Sequence, residues 1–240
     1  MSSFRRAAVV ALVALAVVPA TAFAITHGTL DGTAHPAVGL LVAGPDRTPV
    51  CSGTLVAPTV FLTAGHCIGD ANGSLAVRFD TGVVAATGAA VEPGYGKDMA
   101  DLHDLAVVTL ANAPAGIAPA RLAPAGAADA LAQGDDVTVV GFGYYDRATG
   151  GGQPRYLYDG LRRVGTAPVA NVSRSLVRVL AATAATGGSG LCFGDSGGPW
   201  LVDGAIVAVT SGGDSACSGM SYGYRVDTAS ARTFLAQYLP

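Results

Sequence analysis

Charged and aromatic side chains are both scarce in this sequence of 240 residues. Asp, Glu, Lys and Arg together make up 13% of it and Phe, Trp and Tyr 7%, with Lys97 the only lysine. The formal net charge of −3 becomes −5 once Arg5 and Arg6 are left out with the first 24 residues. Such a chain offers no basic surface to a nucleic acid or an anionic membrane. The composition therefore argues against both classes of partner.

Long apolar runs are missing after residue 24, where no stretch approaches the roughly 20 residues of a transmembrane helix. Residues 1–24 instead combine a basic start with an apolar run over 7–18, which is too short to span a bilayer. The tripeptide Ala-Phe-Ala at 22–24 has the small-x-small pattern that signal peptidase accepts. We predict a secretory signal peptide over 1–24 and a secreted, extracellular mature chain over 25–240.

Apolar residues and glycine make up much of what is present. Apolar residues account for 50% of the chain, and its 33 glycines are about 14%, roughly twice the usual share of ~7%. This favours a turn-rich all-β protein, of one domain or two small ones that share an interface. Apolar runs separated by Gly, Pro, Asp and Asn predict strands at 38–42, 53–56, 60–63, 75–79, 105–110, 137–140, 176–180 and 205–209.

A stretch rich in Ala, Pro and Gly divides these strands into two groups. It covers 111–134 and shows little strand periodicity, so we expect the boundary between two units there. The one good helix signal lies in the tail, where Asp227 or Thr228 can cap a segment with apolar residues on one face. We therefore predict a C-terminal helix at about 227–239.

Four cysteines are informative in an exported protein, because disulfides persist outside the reducing cytosol. Four cysteines allow three pairings. The simplest pairing joins Cys51 to Cys67 and Cys192 to Cys217, and closes loops worth about 3 kcal/mol each on the chain-entropy estimate. The alternative, a zinc site, is disfavoured because no Cys-x-x-Cys spacing is present.

Three short motifs stand out: Leu-Thr-Ala-Gly-His-Cys at 62–67, Asp-Leu-Ala-Val-Val at 104–108 and Cys-Phe-Gly-Asp-Ser-Gly-Gly-Pro at 192–199. They supply the imidazole, carboxylate and hydroxyl that a serine hydrolase needs, with backbone N–H donors for an oxyanion. The pentapeptide at 194–198 also fits the nucleophile elbow of α/β-hydrolases. Those enzymes have their histidine after the serine, whereas the last histidine here is His103.

The order histidine, aspartate, serine resembles that of the trypsin and chymotrypsin family of secreted serine peptidases. The resemblance runs from Ile25 through the terminal helix. It implies an all-β fold of two six-stranded antiparallel β-barrels, at about 25–120 and 121–226, which together with the helix form one peptidase domain. The active site would lie in the cleft between the barrels.

The same resemblance implies a role for each motif. Ser196 would be the nucleophile, His66 the general base and later acid, and Asp104 the carboxylate that orients His66. Asp101 is an alternative for that carboxylate, but Asp104 is the one that opens an apolar strand. The backbone N–H groups of Gly194 and Ser196 would form the oxyanion hole, and glycine suits the unusual backbone needed there.

The resemblance also implies an activation pair. In this family a new N-terminal Ile or Val amine pairs with the aspartate before the catalytic serine, and Ile25 and Asp195 match those positions. A buried carboxylate without its counter-charge is costly, so the pair can act as a switch. Because Ile25 follows the predicted signal cleavage site, we expect signal peptidase itself to produce the active form.

Substrate preference is suggested by four residues. Gly190, six residues before Ser196, matches the base of the primary pocket, where trypsin has aspartate, so cleavage after Arg or Lys is not expected. Thr210, Ser211 and Gly212 fall on the strand that should pair with substrate, and Ser211 stands where a tryptophan is usual. Glycine at 212 would leave the pocket mouth open for a large apolar or aromatic side chain. A preference for small residues is the alternative.

The sequence thus predicts a monomeric, secreted serine endopeptidase that acts on peptides or proteins through a triad and an acyl-enzyme. An inactive relative that binds a partner in the same cleft, and an esterase that uses the same triad, are the alternatives. The mechanism requires no cofactor and no metal. The spacing of Asp98, Asp101 and Asp104 leaves a calcium site open.

Overall fold

The computed structural model describes residues 25–98, 100–148, 155–181 and 187–240, and the predicted signal peptide lies outside them. Sixteen strands and two short α-helices are found in these ranges, and twelve of the strands form two closed antiparallel barrels. The predicted all-β class and two-barrel architecture are therefore confirmed. No helix in the described ranges is long and apolar enough to cross a membrane.

The first barrel follows a short strand, β1 (Thr29–Leu30), and closes in the order β2-β3-β4-β7-β6-β5. Leu55, Phe61 and Val77 fill its centre and are fully buried. A Cβ at Gly53 would overlap the Phe61 ring, so glycine allows this strand to approach the ring closely. The strands are β2 (Val38–Ala43), β3 (Thr48–Ala57), β4 (Val60–Thr63), β5 (Leu75–Phe79), β6 (Gly82–Val91) and β7 (Ala106–Leu110).

The second barrel closes because its first long strand, β9, pairs on one side with β12 and on the other with β14. Trp200 lies fully buried at its centre, and its Nε1 donates to Thr210 Oγ1 at 2.9 Å. A buried indole normally needs such an acceptor. The strands are β9 (Asp136–Gly141), β12 (Arg163–Val172), β13 (Leu176–Leu180), β14 (Pro199–Val202), β15 (Ala205–Gly213) and β16 (Met220–Arg225), with short β8 (Arg121–Leu122), β10 (Asp146–Ala148) and β11 (Arg155–Leu157) beside them.

The start of the described chain belongs to the second barrel, although we expected residues 25–120 to form the first. Strand β1 pairs antiparallel with β12, and Thr26 forms a β-bridge with Gly190. Ile25 is fully buried among the apolar side chains of the second barrel. The chain therefore begins on one barrel and then crosses to build the other.

Two helices complete the described structure, α1 (Gly65–Asp70) and α2 (Ala229–Leu235). Helix α2 is shorter than the expected 227–239. Thr228 is its N-cap and accepts a hydrogen bond from the Ala231 N–H at 3.3 Å, one of the two caps we predicted. Asp227, the other candidate, receives bonds from the Arg225 guanidinium instead.

Candidate active site

His66 and Asp104 lie close together because β4, which precedes His66, and β7, which follows Asp104, are neighbouring strands. His66 opens α1 after β4, Asp104 lies just before β7, and β4 pairs with β7 through Thr63 and Ala106. The His66 Nδ1 lies 2.9 Å from Asp104 Oδ2, and the His66 backbone N–H donates to Oδ1 at 2.9 Å. One buried carboxylate thus holds His66 through both its backbone and its imidazole, and the contact at Nδ1 leaves Nε2 on the opposite side of the ring from Asp104.

The pKa values of both groups reflect this pairing. Burial disfavours the charged imidazole, but the hydrogen bond and charge of Asp104 outweigh it and raise the pKa of His66 above 6.5. Burial likewise disfavours the Asp104 carboxylate, while bonds from His66 and Ser211 lower the pKa of Asp104 below 3.8. The arrangement therefore stabilises an imidazolium beside a carboxylate.

Ser196 lies on a tight loop between two glycines with positive φ, Gly194 at 92° and Gly197 at 75°. A Cβ at Gly197 would meet the Ser52 carbonyl oxygen at 2.5 Å, and positive φ is strained for any other residue, so this turn requires glycine. Ser196 and His66 line the same cavity, whose volume is about 400 Å³. Gly194 lines it as well, so the structure brings together the three motifs singled out in the sequence.

Both expected disulfides are present, with Cα–Cα distances of 6.0 Å for Cys51–Cys67 and 4.9 Å for Cys192–Cys217. The first fastens helix α1, which holds His66, to strand β3. The second fastens the start of the Ser196 loop to residues just before β16. Each disulfide therefore restrains one side of the cavity.

Asp195 points away from the cavity and is completely buried. Its carboxylate accepts hydrogen bonds from the N–H groups of Gly143 at 2.8 Å and Cys192 at 2.9 Å. Burial raises the pKa of Asp195 to about 7, and these bonds and the charge of Arg163 offset it only in part. Ile25 is buried in the same barrel.

Of the four residues that we expected in the substrate pocket, two line the cavity and two do not. Thr210 and Gly212 line the cavity, whereas Gly190 and Ser211 are not among the described residues that line it. A Cβ at Gly190 would lie 2.6 Å from the Cys217 carbonyl oxygen and overlap the Thr26 hydroxyl, so the N-terminal segment packs directly on this glycine.

The Ser211 side chain is directed at the first barrel. Its hydroxyl donates to Asp104 Oδ2 at 2.5 Å, so it contacts the carboxylate that holds His66. The bulge in β15 between Thr210 and Gly212 accounts for this, because an extra residue in one strand re-aims a side chain. The sequence signal at this position was a serine directly before a Gly-Gly pair, and that signal does not reveal the hydrogen-bond partner of the serine.

Tyr222 is a further residue that lines the cavity. It pairs with Gly212 across β15 and β16, and a Cβ at Gly212 would lie 2.5 Å from the Tyr222 hydroxyl oxygen. The phenol therefore covers the glycine that we expected to leave the pocket mouth open. The space that glycine provides at this position is taken up by the Tyr222 ring.

A metal site would need several free ligand atoms close together. Among the described residues, one group of three potential ligands is found, Cys51, His66 and Cys67, and both sulfurs are in a disulfide. His66 is hydrogen-bonded to Asp104. These residues do not suit a metal ion.

Comparisons with known proteins agree with this geometry. The Trypsin family model matches residues 31–235. A protein of Saccharopolyspora erythraea named Trypsin is 33% identical over 192 residues, which cover 75% of this chain and 82% of that protein. The solved structure of neuropsin, a serine protease expressed in the limbic system of mouse brain, matches with a TM-score of 0.66 at 19% identity, over 85% of this chain and 94% of that one. With a family match over most of its length and two barrels of the same fold, the chain belongs to the trypsin family of serine peptidases.

Proposed function

We propose that this protein is a secreted serine endopeptidase that cleaves peptide bonds with Ser196, His66 and Asp104. The observation that supports this most directly is the double hydrogen bond from His66 to buried Asp104, beside the cavity that Ser196 also lines. A general base needs its tautomer and orientation fixed in this way. The predicted signal peptide and the two disulfides support secretion.

In the proposed reaction, His66 Nε2 takes the Ser196 hydroxyl proton while Oγ bonds to the substrate carbonyl carbon. The carbonyl electron pair moves onto its oxygen, which accepts hydrogen bonds from the N–H groups of Gly194 and Ser196. When the C–N bond breaks, His66 protonates the departing amine and the acyl group stays on Oγ. Water then loses a proton to His66 and attacks the ester, and Oγ leaves and regains that proton.

We also propose that cleavage before Ile25 activates the enzyme. In the uncleaved chain the Asp195 carboxylate is buried against neutral N–H donors, and its pKa is raised to about 7. The amine released at Ile25 would supply the positive charge that this carboxylate needs. Thr26 pairs with Gly190 in the uncleaved chain, so this segment is already docked on the barrel that contains Asp195.

For specificity, we favour small residues next to the cleaved bond, the second of our two expectations. The Tyr222 phenol covers Gly212 and occupies part of the cavity, which leaves less room for a large aromatic side chain. At Gly190 a longer side chain would displace Thr26 or Cys217, so an acidic partner for Arg or Lys has no space there. Leu191 gives the same cavity an apolar surface.

The experiment that tests the activity is an intact mass of the secreted protein before and after a fluorophosphonate probe. We expect a chain that begins at Ile25, four hydrogens lighter than its reduced form, with one probe adduct that maps to Ser196. The variant Ser196→Ala should fold and remain unlabelled. A wild-type chain that begins at Ile25 and is not labelled would contradict the enzyme proposal and favour a binding protein.

Matched ester and amide substrates distinguish a peptidase from an esterase. A peptidase should hydrolyse both, at rates that fall together in Ser196→Ala. Hydrolysis of the ester alone, with the probe still bound at Ser196, would point to the esterase alternative.

A further inference from the structure

Ser52 is a buried residue of the first barrel whose side chain reaches the second. It follows Cys51 on β3 and has no exposed surface. Its hydroxyl donates to the Gly194 carbonyl oxygen at 2.8 Å and accepts from the Phe142 N–H at 2.9 Å. Both partners belong to the second barrel, so this one hydroxyl bridges the two barrels beside the Ser196 loop.

The direction of these two bonds is fixed by chemistry. The Phe142 N–H can act only as a donor and the Gly194 carbonyl only as an acceptor, so the single hydroxyl proton of Ser52 must point at Gly194. The bond from Phe142 is buried and the bond to Gly194 is partly buried, and a buried polar group that loses its partner is unfavourable. The hydroxyl therefore has one arrangement that satisfies both neighbours.

The backbone of Ser52 holds the same loop at a second point. Its N–H donates to the Ser196 carbonyl oxygen at 2.8 Å, and its own carbonyl accepts from Thr63 Oγ1 at 2.8 Å. Ser52 thus binds the carbonyl oxygens of Gly194 and Ser196, which lie on either side of Asp195. The N–H groups of these same two residues form the proposed oxyanion hole.

These hydrogen bonds matter because Gly194 has little conformational preference of its own. A glycine at φ 92° can rotate its peptide groups more freely than any other residue, so the orientation of the peptide groups on both sides of it must be imposed by neighbours. The peptide group between Gly194 and Asp195 is held by Ser52 at its oxygen and by the Cys192 carbonyl at its N–H, 3.1 Å away.

We propose that Ser52 is a positioning residue that holds the oxyanion loop in its productive conformation from the first barrel. This rests on the proposed function, since it concerns the N–H donors of that mechanism. Donors aimed at the developing charge lower the barrier of the reaction while adding little to ground-state binding. Loss of the Ser52 hydroxyl should therefore act on kcat far more than on KM.

The test is Ser52→Ala, with Thr54→Val as the matched control. Thr54 lies two residues along the same strand and is also buried, but its hydroxyl has no hydrogen-bond partner among the residues that the structure describes. We expect kcat on a peptide ester to fall at least about tenfold in Ser52→Ala, with KM nearly unchanged, because removal of a donor to the oxyanion alone costs about 10²–10³. The inhibition constant of a peptide aldehyde, which places an oxyanion in the hole, should rise in parallel. Thr54→Val should change neither quantity.

The pair Ser52→Thr and Ser52→Val keeps the test valid if Ser52→Ala does not fold, because these two side chains have the same shape and differ in the hydroxyl. Equal kcat values in this pair, or an unchanged kcat in a folded Ser52→Ala, would overturn the proposal for Ser52. The proposed function would still be supported if the wild-type protein were labelled at Ser196. A wild-type protein that the fluorophosphonate probe does not label would instead contradict the proposed function itself.

Discussion

The hydroxyl of Ser211 donates to Asp104 Oδ2 at 2.5 Å, so the carboxylate that holds His66 is itself held from the second barrel. Asp104 belongs to the first barrel and Ser211 to β15 of the second. The orientation of His66 therefore depends on how the two barrels are docked, in addition to the local structure of its own barrel.

Removal of this bond in Ser211→Ala should lower kcat/KM by about tenfold, since a hydrogen bond to a charged group contributes about 1.5–3 kcal/mol. Asp104 keeps its two bonds to His66, so the loss should be far smaller than that of Asp104→Asn, for which about 10⁴ is expected. Steady-state kinetics on one peptide substrate measure both. Equal losses in the two variants would contradict this ranking.

The activity should rise with pH through the pKa of His66. A protonated imidazole cannot accept the Ser196 proton, and Asp104 raises the pKa of His66 above 6.5. We therefore expect a midpoint above pH 6.5 for kcat/KM, with activity lost on the acidic side. A midpoint below 6.5 in the wild type would contradict the role assigned to the Asp104 pairing.

The stability of the uncleaved chain should fall as the pH rises from about 4 to about 7. Asp195 in the folded chain has a pKa raised to about 7, against 3.8 for a free carboxyl group, so in this window the folded state binds a proton that the unfolded state has released. Urea unfolding of Ser196→Ala, with the signal segment retained, measures this loss at pH 4.5 and pH 7.

The matched control for this experiment is the same variant beginning at Ile25. Its free amine can pair with the Asp195 carboxylate, so the pKa of Asp195 falls and the loss of stability towards pH 7 should shrink or reverse. Identical pH profiles for the two chains would show that the amine does not reach Asp195.

Substrate preference should respond to Tyr222. Replacement by glycine removes the phenol that covers Gly212, so Tyr222→Gly should raise the ratio of cleavage after Phe to cleavage after Ala by about tenfold or more. A difference of a few methylene groups in a pocket is worth about 1–3 kcal/mol. Peptides that differ in that one residue provide the measurement, with Ser196 labelling as the control for active enzyme. An unchanged ratio would exclude Tyr222 as a wall of the pocket.

The variant Gly190→Asp should fail to introduce cleavage after Arg. Its Cβ would overlap the Thr26 hydroxyl and lie 2.6 Å from the Cys217 carbonyl oxygen, so the N-terminal segment must move to make room. We expect lower activity on all peptides and a lower melting temperature. Efficient hydrolysis after Arg in a stable Gly190→Asp variant would contradict this packing.

Strands with a short apolar run between turn residues were predictable from the sequence, whereas strand β6 was not. All six residues of β2 and all four of β4 are buried, so their apolar runs indicate their bounds closely. Strand β6 has the sequence GVVAATGAAV, in which Thr87 and Gly88 interrupt the small apolar residues, and none of its residues is buried. Strand β6 forms because it pairs with β5 and β7, so the residues that determine it lie in those two strands.

The same distinction applies to the candidate site. His66, Asp104 and Ser196 each lie in a contiguous motif, so the sequence alone could single them out. The partners of Ser52 and Ser211 are Gly194 and Asp104, which are 142 and 107 residues away along the chain. No local pattern encodes such contacts, because they arise from the docking of the two barrels.

The crossing of the N-terminal segment to the second barrel has a consequence for biosynthesis. Thr26 Oγ1 donates to the Cys217 carbonyl oxygen, 191 residues further along, so the segment around Thr26 finds this partner only when synthesis is almost complete. Contacts of such long sequence separation form late and slowly. The first barrel can fold while the chain is still being made. The segment that precedes it must wait for the final strands of the second barrel, and only then can the enzyme be complete.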